Sequence, residues 1–168
     1  KRPDLLVAFG SPHFADDYDR VPALVRSAAG GGLLLGCSAG GVIGGGSEVE
    51  DRPAFSLTAA TLPGVEIAPI YVDAQVISEL ENRGGWESLL RSSPTDAPSF
   101  VLLPDPFSFP VDRLLQGLDA RFPDSRKVGG LASGARRPGG NRLYLGPNSY
   151  SAGAVGVAAV VTGRAPAG

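Results

Sequence analysis

The 168-residue chain has no methionine, one cysteine, one histidine and one tryptophan. With Cys37 alone, no internal disulfide can close and no thiolate metal cage can form. A single free thiol suits a reducing compartment, so an intracellular, cytoplasmic location is expected. His13 is the only imidazole, which removes most zinc and di-iron site types. Charged residues make up 19% of the chain and the net charge is −2. That balance supplies no broad basic face, and no nucleic-acid partner is expected. The longest smooth apolar stretch, Gly153 to Val161, falls short of the ~18 residues that a membrane span needs. No secretory signal is visible and no membrane partner is expected. Neither G-x-x-x-x-G-K-[ST] nor G-x-G-x-x-G occurs, so both common nucleotide fingerprints are missing.

What the chain does have is glycine and proline, 24 and 15 residues respectively, and they punctuate it regularly. Asp4 to Phe9 is an apolar run bounded by Pro3 and Gly10, the signature of a buried strand. A polar turn, Ser11 to Phe14, follows it. Val21, Leu24, Val25 and Ala28 then recur at helical spacing, with Pro22 where a first turn tolerates it. Leu33 to Leu35 is a second buried strand that runs into Gly36-Cys-Ser-Ala-Gly-Gly41. The second half repeats this order. Ser99 to Leu103 is a strand, Pro104 to Ser108 a turn, and Leu114, Leu115, Leu118 and Phe122 mark a helix. Val128 then leads into Gly129-Gly-Leu-Ala-Ser-Gly134. Pro12 and Pro106, Gly36 and Gly130, Gly40 and Gly134, and Gly46 and Gly140 all stand 94 positions apart.

Strand-like runs follow each glycine loop: 54–60 and 65–72 in the first half, 142–145 and 153–161 in the second. Turn residues lie within each pair, at Leu62-Pro-Gly64 and Gly146-Pro-Asn-Ser149, so each pair is expected to form a hairpin. Trp86 to Leu90 reads as a short helix with its indole inward. The expected fold is a mixed α/β domain over residues 3–163, built from two β-α-β-β-β units at roughly 3–73 and 98–163. Residues 164–168 read as a linker-like tail leading to a further domain.

Gly36-Cys37-Ser38-Ala39-Gly40 satisfies the G-x-S-x-G pattern of a nucleophile elbow, which makes a serine hydrolase one reading. The pattern works only if a helix starts at once, and Val42-Ile-Gly-Gly-Gly46 is poor helix material. The preferred reading is non-enzymatic. Ligands in α/β sheets sit beyond the carboxyl ends of strands, where glycines let them approach bare backbone. On that basis Ser11 and His13 are candidate polar contacts. Cys37, Ser38, Gly40 and Gly41 are candidates from the first loop, and Gly130, Ser133 and Arg136 from the second. Arg136 suits a carboxylate, since guanidinium forks match that group. Cys37 has a plainer reading as a small core residue, and Asp105, between two prolines, as an Asx-type turn former.

Taken together, Phe9-Gly-Ser-Pro-His13, Gly36-Cys-Ser-Ala-Gly-Gly-Val-Ile-Gly44, Glu48-Val-Glu50, Val128-Gly-Gly-Leu-Ala-Ser-Gly134 and Gly153-Ala-Val-Gly-Val157 resemble the N-terminal FIST domain. The resemblance covers nearly the whole chain and keeps the motifs in order. It implies a sensory input module that binds a small ligand such as an amino acid, with a C-terminal FIST domain as partner in the same protein. It supplies no catalytic residues. No cofactor is expected; haem, which some members are linked to, has only His13 to serve it. A third reading is a scaffold half that packs against the partner domain.

Overall fold

A computed structural model describes residues 2–162. The tail expected at 164–168 lies outside the described residues. The chain forms two main sheets and a small hairpin, with helices outside the sheets. The mixed α/β class expected from the sequence is what the structure shows.

The first sheet is built around β1 (Leu5–Gly10) and β2 (Leu33–Ser38), which run parallel. Between them lie a 3-10 helix, Pro12–Arg20, and α1, Val21–Ala29. Gly30 ends α1 in the left-handed conformation, with its amide bonded to Arg26 O. Gly36 is required where the strands pair: a Cβ there would lie 2.1 Å from the Ala8 carbonyl oxygen. On the far side of β1 runs β5 (Phe55–Ala60), antiparallel and at the sheet edge. On the far side of β2 runs β9 (Leu143–Leu145), followed by β10 (Asn148–Tyr150) at the opposite edge.

The second sheet has the order β6 (Val65–Val72), β11 (Ala154–Val161), β7 (Ser99–Pro104), β8 (Lys127–Gly129). Its outer face is covered by α2 (Ala74–Arg83), α3 (Trp86–Leu90) and α4 (Val111–Arg121). Asp73 caps α2 by accepting the Val76 amide at 2.9 Å. Gly117 sits mid-helix in α4 because a Cβ there would meet the Trp86 ring at 2.3 Å. A short hairpin, β3 (Val42–Gly44) with β4 (Ser47–Val49), rises from the first glycine loop.

Both expected hairpins are corrected. β5 and β6 follow one another but pair in different sheets, with β1 and β11 respectively. Likewise β9 turns into β10, and β11 crosses to the second sheet. The physical reason is burial. Leu35, Cys37, Leu103, Leu143, Val155 and Val157 fill the space between two stacked sheets, which a single sheet would leave open to water. The halves share a strand-helix-strand crossover and an antiparallel neighbour for its first strand, but not the hairpins.

Candidate functional site

The two glycine loops leave the carboxyl ends of β2 and β8 and meet. Gly40 N–H donates to Ser133 Oγ at 2.9 Å, and Ser133 N–H donates back to the Ser38 carbonyl at 3.0 Å. Gly134 adopts a φ of +95°, and a Cβ there would lie 2.6 Å from the Pro12 ring. The 3-10 helix is thus packed directly on the second loop, which brings Ser11 and His13 beside it. Ser11 Oγ and His13 Nδ1 share a hydrogen bond at 3.2 Å, and Ser11 Oγ also accepts the Ala54 amide at 3.0 Å.

Beneath this junction lies a polar network in which Asn141 is the hub. Its Nδ2 donates to Asp105 Oδ1 at 2.9 Å and to the Ala132 carbonyl at 3.3 Å. Its Oδ1 accepts from Ser38 Oγ at 3.2 Å and from Ala135 N–H at 3.1 Å. Asp105 Oδ2 accepts from Ser108 Oγ at 2.6 Å, and Ser108 Oγ in turn accepts the Gly153 amide at 3.0 Å. Asp105, Asn141 and Ser38 are each at most 1% exposed. A buried carboxylate is costly unless hydrogen-bonded, and this one is held by an amide and a hydroxyl. The network ties the ends of β2, β7 and β11 to the second loop and fixes the backbone at Ala135.

Arg136 and Arg137 follow directly. With Pro12, Ala15, Tyr18, Gly134 and Gly140 they line a surface depression of about 310 Å³. Among the described residues neither guanidinium is ion-paired. Arg142, which the sequence groups with them, is committed elsewhere: its Nε donates to Asp19 Oδ1 at 3.0 Å. The Asp19 carboxyl is held below its usual range by hydrogen bonds from Ser149 and Arg142. Burial pushes the Tyr18 phenol above its usual range.

Of the residues singled out in the sequence, Ser11, His13, Ser38, Gly40, Ser133 and Arg136 come together at this junction. Three do not. Cys37 points into the core between the sheets, and burial pushes its thiol up to about 12. Gly41 is exposed and faces Glu50. Gly130 lines a separate depression beside α4, with Val111 and Leu115. The elbow pattern also lacks its geometry: strand β3 follows the loop where a helix is required, and the buried Ser38 hydroxyl is engaged by Asn141 and by the Arg142 amide at 3.2 Å. His13 is exposed, and its Nδ1 is engaged by Ser11 Oγ. No helix among the described residues is long and apolar enough to cross a membrane.

Sequence reasoning missed Asn141 altogether and read Asp105 only as a turn former. The available signal was Asn141 next to Gly139-Gly140, and an acidic residue directly after a buried strand.

This architecture, with paired glycine loops over a buried polar hub, defines a mixed α/β domain. The chain belongs to the FIST family: the FIST N domain model matches residues 4–165, and such domains generally serve in sensing and signal transduction. An uncharacterised protein of Mycobacterium tuberculosis is 33% identical over 158 residues, which cover 92% of this chain and 39% of the relative. An uncharacterised protein of Mycobacterium bovis is 31% identical with the same coverage. The chain therefore spans about two fifths of the length of these curated relatives.

Proposed function

We propose that this domain senses a small anionic ligand, an amino acid or another small carboxylate, inside the cell, and that it does so by binding rather than by catalysis. The single observation that carries the reading is the placement of Arg136 and Arg137. Arg136 and Arg137, which form no ion pair among the described residues, line one depression, on a loop whose backbone is pinned through Ala135 to a buried hub. Pre-organisation of this kind lowers the entropy lost on binding. A carboxylate can take two parallel N–H donors from one guanidinium, and Tyr18 and Pro12 supply an apolar wall for the rest of a small ligand.

Titration calorimetry of the full-length protein with L-glutamate, L-alanine and citrate tests the reading. A charge-assisted hydrogen bond contributes about 1.5–3 kcal/mol, so Arg136→Ala should weaken carboxylate binding by roughly tenfold or more. Equal affinity in wild type and variant would contradict it. Ser133→Ala, which removes the acceptor for the Gly40 amide, should weaken binding less, because it loosens the loop without removing the cation.

A further inference from the structure

The four edge strands of the two main sheets are not alike. An open edge offers unpaired N–H and C=O groups to any passing strand, and proteins normally blunt it with short length, lysine, proline or charge. β10 is three residues long and follows Pro147; β8 is three residues long and begins with Lys127. β6 is long but carries Glu66 and Pro69. β5, Phe55-Ser-Leu-Thr-Ala-Ala60, has none of these devices; the β3–β4 hairpin packs against it at Ser56, whose side chain lies on the face opposite Phe55 and Leu57. It is six uncharged residues at an edge.

The register shows what this edge presents. Ser11 N–H donates to the Ala54 carbonyl at 2.9 Å. In an antiparallel pair the bonding residues alternate, so the backbone groups of Phe55, Leu57 and Ala59 point away from β1. The side chains of Phe55 and Leu57 share a face with Ala8 and Gly10, the face on which α1 lies. α1 does not reach across them. An apolar groove of about 370 Å³ runs between helix and strand, lined by Phe14, Val21, Leu24, Val25, Phe55 and Leu57. Leu24 is 55% exposed, and Phe55 and Leu57 are each 41% exposed.

We propose that β5 and this groove seat an extended strand from the remainder of the same polypeptide. The strand pairs with the outward backbone groups of Phe55, Leu57 and Ala59 and sets alternate apolar side chains into the groove. Strand addition of this type takes affinity from main-chain bonds and selectivity from pockets for every second side chain. The occupant is inferred from length: in the relatives, about three fifths of the polypeptide lies outside the region this chain matches. A segment tethered to the domain reaches the edge at high effective concentration, which also shields it from other chains.

Hydrogen exchange read by mass spectrometry on the full-length protein decides this, with wild type and Leu57→Lys compared at two protein concentrations. The expected result is that peptides covering β5 exchange at least tenfold more slowly than those covering β10, at both concentrations. Leu57→Lys should restore fast exchange at β5, while peptides in β7 and β11 stay slow and so report an intact fold. Fast exchange at β5 in the wild type would overturn the proposal. Protection that strengthens with concentration would also overturn it, because the occupant would then be a second copy. Protection unchanged by Leu57→Lys would show that neither groove nor edge is occupied as described, and would overturn it equally.

Discussion

The outer faces of the two sheets are finished differently. Three helices cover the second sheet, and Ile77, Leu80, Trp86, Leu114, Leu118 and Phe122 close its outer core. One short α-helix and a 3-10 helix cover the first, which is five strands wide; their buried side chains pack on β1, β2 and β9, and Asp19 bonds Ser149 of β10. The second face is the more fully covered, with a depression left beside α4, where Val128 and Leu131 are exposed. The first leaves Leu24, Phe55 and Leu57 in contact with water. The larger buried core thus lies on the second sheet and the exposed apolar strip on the first, and the polar hub lies where the sheets meet.

The sharpest way to break that division is to empty the closed face. Leu118 is fully buried, so Leu118→Ala should lower unfolding free energy by about 2–5 kcal/mol in denaturant titration. A smaller loss would mean that the second outer face is not the anchor. Next in size is Asn141→Leu, which strips partners from Asp105, Ser38 and Ala135 together. Leaving a buried polar group unsatisfied costs about 1–3 kcal/mol. A loss in that range is expected, together with faster proteolysis of the loop at 134–140. Alkaline pH sharpens the picture further. Burial raises the Cys37 thiol from 9.0 to about 12, so the unfolded chain releases that proton first as pH rises. The stability it contributes is complete below pH 9 and is lost between pH 9 and about 12, and Cys37→Ala should flatten that part of the curve. The native thiol should also resist alkylation at pH 8. The smallest effect belongs to the open face: Leu24→Ser should change stability by no more than about 0.5 kcal/mol.

Much of this was legible in sequence because it depends on local patterns. The apolar runs at 4–9, 33–35 and 99–103 and the helical spacing of Val21 to Ala28 name their own elements. The glycine loops and His13 also stand out locally, and the loops do converge. What failed was partner choice. A turn at Leu62-Pro-Gly64 looks the same whether the chain doubles back beside itself or crosses to another sheet; the difference lies in which core each face fills. Helix α2 was not read at all, although Asp73 followed by Val76, Ile77 and Leu80 carries both its cap and its apolar face. Asn141 was invisible for a different reason. Its side-chain partners Asp105 and Ser38 lie 36 and 103 residues away, and the neighbouring Gly139-Gly140 marks a turn without encoding those contacts.

The most direct test of the central claim is a thermal-shift screen of the full-length protein against amino acids and small carboxylates, in wild type and Arg136→Ala. A ligand that binds only the folded state adds about 2.7 kcal/mol of apparent stability at a hundredfold excess over its dissociation constant. The account predicts a rise in melting temperature with at least one carboxylate, greatly reduced in the variant. A rise of equal size in both proteins, or none with any carboxylate, would contradict it.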